Sequence, residues 1–126
     1  MSLTPPPPGQ VNTPIYNADL ADATRLLVDA GASGIYHVGG SQLLDRVAFG
    51  REIVSALSEL RADLGLDAAL LAPVTTSTAG QTALRPLASG LKLDKMASAV
   101  PAWKPRTVRE ALTHWLASPR GKPLGE

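Results

Sequence analysis

A chain of 126 residues with 44% hydrophobic and 18% charged side chains has the composition of one globular domain, which excludes both a disordered chain and two ordinary domains. Its formal net charge is +1, with twelve basic residues dispersed among eleven acidic ones, which excludes the basic footprint of a nucleic-acid binder. The absence of cysteine excludes disulfides, thiolate metal sites and a cysteine nucleophile, and no apolar run reaches the roughly 18 residues of a membrane span.

The chain opens on Met1–Pro8, which has neither a cationic start nor an apolar stretch. It is therefore not read as a signal peptide, and a cytoplasmic protein is expected. Pro5–Pro8 favours an extended polyproline conformation, so residues 1–9 are expected to be a disordered lead-in, residues 10–117 the folded domain, and residues 118–126 a tail.

From Asn17 the spacing turns helical. Leu20, Ala23, Leu27 and Ala30 share a face, Asn17 or Asp19 can cap the start, and Gly31 is placed to stop the helix. Gly34–Val38 then reads as a short buried strand, with His37 packed or hydrogen-bonded inside it, and Gly39-Gly40-Ser41 as a turn. Asp45 can cap a longer helix whose apolar positions run from Val47 to Leu64, ended by Gly65. Leu70–Val74 reads as extended, with Pro73 marking an edge or a strand end. Residues 75–83 form a polar loop of small residues, and Arg85-Pro86 lies in irregular chain beyond it. Asp94 can cap a short helix to about Ala99. Thr107 and Glu110 stand at capping-box spacing before Ala111, Leu112, Trp115 and Leu116, which predicts a last helix with His114 on its surface. The expected class is mixed α+β, mostly helical with two or three short strands. So few strands make a poor independent sheet, and the pattern suits a layer that packs against something larger.

Several chemistries are absent from the pattern. Gly39-Gly40 follows a predicted strand, but no third glycine stands at the offset of a dinucleotide-binding turn, and no acidic residue follows about 20 positions on. A short-chain reductase places a lysine four residues after its catalytic tyrosine, so that the ammonium lowers the phenol pKa. Here Leu20 follows Tyr16 at that offset and Gly40 follows Tyr36. His37 and His114 have no ligand-like neighbours at metal spacing, and no G-x-S-x-G elbow supports a serine triad.

Four segments in order nevertheless resemble one family. Gln10–Ala21 resembles its Q-x-x-x-P-T-Y-x-x-D-L-A stretch, with Ile15 where the threonine stands, and Gly34–Gly40 resembles its G-I-Y-H-V strand. Arg85–Asp94 resembles its R-P-x-x-S-x-L segment, and Arg109–Leu112 its capped last helix. The family is the dTDP-4-dehydrorhamnose reductase (RmlD-like) group of extended short-chain dehydrogenases.

The resemblance implies the C-terminal, substrate-side subdomain of a Rossmann-type α/β reductase. Its ligand would be a nucleotide sugar, and its partner the N-terminal Rossmann domain that carries NAD(P)H and the catalytic Tyr and Lys. The chain alone is then expected to bind no cofactor or metal and to contain no catalytic residue, while a homodimer is possible. Substrate contacts are expected from Arg85, whose guanidinium suits a diphosphate, and from Tyr16, Gln10 and Ser89. A non-catalytic binding or regulatory module on the same fold is the alternative.

Overall fold

Val11–Asn12 (β1) pairs antiparallel with Leu44–Asp45 (β2), Val11 opposite Asp45 and Asn12 opposite Leu44. The other side of β1 takes a third stretch of chain: the Val11 N–H donates to the Leu87 carbonyl at 2.8 Å, the Ser89 N–H donates to the Val11 carbonyl at 2.9 Å, and Val11 bridges Ala88 in parallel. The computed structural model describes residues 10–73, 83 and 86–118. The expectations for Pro5–Pro8, residues 75–82 and Arg85 lie outside them.

The described residues also form four α-helices: α1 (Asn17–Asp29), α2 (Arg46–Leu60), α3 (Asp94–Ala99) and α4 (Val108–Ala117). The architecture is the expected mixed one, mostly helical with a two-stranded antiparallel sheet. Local chemistry sets three of the helix ends. Asp45 caps α2, its carboxylate accepting from the Ala48 N–H at 2.7 Å. Thr107 caps α4 with the complete reciprocal box, Glu110 N–H to Thr107 Oγ1 at 3.2 Å and Thr107 N–H to Glu110 Oε2 at 3.4 Å. Gly31, at φ 66°, ends α1 in a Schellman motif, with Gly31 N–H to Val28 O and Ala32 N–H to Leu27 O both 3.0 Å.

Other boundaries differ from the sequence reading. α1 has Tyr16 at its N-cap with no side-chain cap, so neither Asn17 nor Asp19 serves as one. Asp19 is instead buried, and its carboxylate is engaged elsewhere. Asp94 is the first residue of α3 rather than its cap, a position held by Leu93. α2 stops at Leu60. The chain then makes a 3-10 turn at Ala62–Leu64 before Gly65 adopts a left-handed φ of 59°. Ala68–Leu70 forms a second 3-10 turn capped by Asp67, so the extended reading of this stretch fails at Leu70, while Leu71 is extended and Val74 lies outside the described residues.

Gly34–Val38 forms no strand. Its side chains do alternate: Tyr36 and Val38 pack on the core, while Ile35 is 78% exposed and His37 is exposed as well. No backbone hydrogen bond joins it to another described segment before Gly40. Alternation reports which side is buried, whereas a strand also needs a neighbour to complete its ladder. His37 is accordingly a surface residue and not a packed one.

The core is small. Ala23 of α1, Met96 of α3, Val100 and Trp103 are buried together, with Ile15, Leu26, Leu27, Tyr36 and Val38 packed against them. Ala56 of α2 is buried apart from this cluster. Among the described residues no helix is long and apolar enough to cross a membrane.

Candidate ligand-binding cleft

The link from the core to α4 is held at Trp103, Arg106 and Val108. Trp103, buried, donates its indole N–H to the Asp19 carbonyl at 3.0 Å. The Asp19 carboxylate, in a residue only 3% exposed, accepts from the Arg106 main-chain N–H at 2.8 Å through Oδ2 and from the Arg106 guanidinium through Oδ1. The Ser41 hydroxyl donates to the Arg106 carbonyl at 3.4 Å, and the Val108 N–H donates to Gln42 Oε1 at 2.9 Å. Three segments distant in sequence, the start of α1, residues 41–42 and the entry to α4, are thereby fixed together.

Between them lies a cleft of about 440 Å³. Phe49 and Ile53 of α2 and Ala111, Leu112 and Trp115 of α4 supply its apolar walls. Pro14–Asn17 closes one side, and Ser41, Gln42 and Arg106 bring polar groups to it. This combination of an apolar concavity with a few polar groups converging on it is the usual form of a small-molecule site.

Tyr16 stands at the cleft. Its hydroxyl lies 3.0 Å from His114 Nδ1, and the two rings meet edge to face with centroids 5.6 Å apart. In the Nε2–H tautomer of His114 the phenol is the donor. The Arg106 guanidinium carbon lies 5.8 Å from the centroid of the Tyr16 ring, within reach of a weak cation–π attraction. A second ion pair, Arg109 with Glu59, joins α4 to α2 on the exposed side. The hydrogen bond and then the charge of Arg109 hold the Glu59 carboxyl below its ordinary value, and the same contact raises the Arg109 guanidinium. In the Arg61–Asp63 pair the carboxyl of Asp63 is likewise lowered, chiefly by the hydrogen bond from Arg61.

The residues expected to touch substrate separate in space. Tyr16 lines the cleft. Gln10 is half-buried beside β1 and does not line it. Ser89 lies across β1, its hydroxyl donating to the Val11 carbonyl at 3.2 Å, and Arg85 is outside the described residues. The sequence reading missed Gln42, Phe49, Trp115 and Arg106 as cleft residues and Asp19 as the anchor of Arg106. One available signal was Arg106 itself, directly before the capping box that orients α4.

A tyrosine and a lysine do meet. Lys95 Nζ lies 4.3 Å from the Tyr36 ring centroid and donates to the Ile35 carbonyl at 2.8 Å. The ammonium sits over the ring face, a cation–π contact rather than one aimed along the phenol. Among the described residues no group of three or more His, Cys, Asp or Glu is placed to hold a metal ion.

The family described as the RmlD substrate-binding domain matches residues 8–120. The chain belongs to that family. No curated protein and no solved structure matches it. The RmlD substrate-binding match takes in every residue of the cleft and all four helices, so the cleft is a feature of the family region rather than of an appended segment.

Proposed function

We propose that this RmlD substrate-binding domain binds a sugar nucleotide and forms the substrate side of an NAD(P)H-dependent nucleotide-sugar reductase. The observation that carries this reading is the family match over residues 8–120, in a chain whose described part holds an apolar cleft with converging polar groups. Hydride transfer needs a nicotinamide held against the substrate carbonyl and phosphate-cradling amides at a glycine-rich turn. That work is assigned to a Rossmann domain of the same family, docked on this one in the cytoplasm. Tyr16 is proposed to contact the ligand from the cleft wall. Arg85 is proposed to meet the diphosphate, with Gln10 and Ser89 as further contacts.

The test is titration calorimetry of the chain with dTDP-glucose and, separately, with NADPH. Saturable binding of dTDP-glucose with no NADPH binding is the expected result. No dTDP-glucose binding would count against the assignment. Oxidation of NADPH by the chain alone with a 4-keto sugar nucleotide would overturn the division of labour. Binding that persists with no reduction after a family Rossmann domain is supplied would favour a regulatory module on the same fold.

A further inference from the structure

The charges lining the cleft set a limit on what can enter it. Among its described lining residues Arg106 alone is ionised, and its charge is already answered. Both oxygens of the buried Asp19 carboxylate are taken up by Arg106, one by the main-chain N–H and one by the guanidinium. The pair is neutral as a unit. A diphosphate drawn into this apolar space would bring negative charge with no free cation among the described lining residues to meet it, and burying unpaired charge is strongly unfavourable.

A neutralised guanidinium still has N–H groups to give. It carries five, in a planar fork, and Asp19 Oδ1 takes one through Nη1. Gln42 is arranged in the same sense. Its Oε1 is occupied by the Val108 N–H, which leaves its amide nitrogen as a donor at the cleft. The polar side of the cavity is therefore rich in donors and carries no net charge, while Phe49 and Trp115 stand among its apolar groups. Such a site matches a ring with apolar faces and acceptor oxygens at its rim. The volume of about 440 Å³ is at the small end of the range of ligand pockets, roughly 300–1,000 Å³, and suits one part of an extended ligand.

We infer that the cleft takes an uncharged, oxygen-bearing ring of the ligand and leaves the diphosphate outside it, with Arg106 donating to the ring oxygens and Asp19 as the residue that positions it. This rests on the reading that the chain binds a sugar nucleotide. Two parts of such a ligand share the required chemistry, the glycosyl ring and the nucleobase with its carbonyls.

The experiment follows the Trp115 indole N–H resonance in ¹H–¹⁵N spectra of the full chain, assigned with Trp115→Phe, during titration with dTDP-glucose, dTDP and inorganic pyrophosphate. The expected result is a saturable shift with dTDP-glucose and none with pyrophosphate. A shift with dTDP-glucose alone assigns the ring as glycosyl, and a shift with dTDP as well assigns it as the base. Arg106→Lys keeps a cation for Asp19 but loses the fork, and should weaken dTDP-glucose by about tenfold or more. Ala111→Phe fills the cavity without touching the Asp19 pair and should abolish the Trp115 shift. A Trp115 shift with pyrophosphate overturns the inference, as does tight dTDP-glucose binding that neither variant weakens; in both cases the chain remains a sugar-nucleotide binder. Failure of dTDP-glucose to bind at all overturns the underlying reading and the inference with it.

Discussion

The Asp19 carboxylate grips Arg106 at two points, the main-chain N–H at 2.8 Å and the guanidinium, across 87 residues of chain. Asp19 is 3% exposed, whereas the Arg106 side chain keeps 30% of its surface. Removing the carboxylate leaves a main-chain donor and a partly desolvated cation unanswered. Breaking a fully buried pair costs about 3–5 kcal/mol, and the partial exposure of Arg106 reduces this. Asp19→Ala is expected to lose about 2–4 kcal/mol in urea unfolding, and a loss under about 1 kcal/mol would show that water replaces the carboxylate.

The capping box gives a smaller effect. Thr107→Ala removes the acceptor of the Glu110 N–H and should cost about 1 kcal/mol. Glu110→Gln keeps a group able to reach back to the Thr107 N–H and should cost less than Glu110→Ala. Thermal unfolding of the three variants provides the ranking, and equal losses for Gln and Ala would remove the reciprocal bond from the account.

Gly40 is fixed by crowding. A Cβ built there would lie 1.8 Å from the Pro14 carbonyl oxygen, while the Gly40 N–H donates to the Thr13 carbonyl at 3.1 Å. The obstacle is backbone and cannot swing aside. Gly40→Ala should cost about 3 kcal/mol or more, the upper range for overpacking, and should disturb Pro14–Tyr16 at the cleft. Gly31→Ala has no such obstacle within 4 Å and pays only for its left-handed backbone, about 1–2 kcal/mol. Circular dichroism melts of the two variants side by side test the difference, and equal losses would mean that the crossing at Pro14 yields.

The Glu59–Arg109 pair makes a pH prediction. Arg109 holds the Glu59 carboxyl below its ordinary value of 4.5. A carboxyl lowered by folding stabilises the fold above its unfolded value, and that contribution disappears as the pH falls through the depressed one. Glu59→Gln should therefore melt slightly below the parent chain at neutral pH, with the gap closing as the pH is taken below 4.5. The pair is exposed, so added salt should also narrow the gap. A gap that widens in acid would refute the assignment.

What could be read from the sequence was what lies close along the chain. Thr107 and Glu110, Asp45 and Ala48, and Gly31 after α1 act over three or four residues, and each is found in its expected role. Its neighbours allow Asp19, like Asn17, to cap α1, but its partners stand 84 and 87 residues away. Gly34–Val38 shows the same limit: its apolar run reads as a buried strand with His37 packed inside, whereas the structure turns Tyr36 and Val38 to the core and leaves His37 exposed, and the presence of a pairing neighbour is not written in the segment itself. For the cleft, Tyr16 was legible through the family resemblance. Phe49, Trp115 and Arg106 were not, because helical spacing marks an apolar face without saying whether another helix covers it.

The long span between Asp19 and Trp103 also bears on how the chain is made. α1 leaves the ribosome well before the residues that bury Ala23 and donate to the Asp19 carbonyl. At synthesis rates of about 5–20 residues per second, the 84 residues that separate Asp19 from Trp103 take roughly 4 to 17 s to add. Over that interval the inner face of α1 is without its final cover and is open to chaperones or to the same face of a neighbouring nascent chain. Closing so wide a loop is slow as well as late, so the yield of folded protein should respond to translation speed and to growth temperature more steeply than its equilibrium stability would indicate.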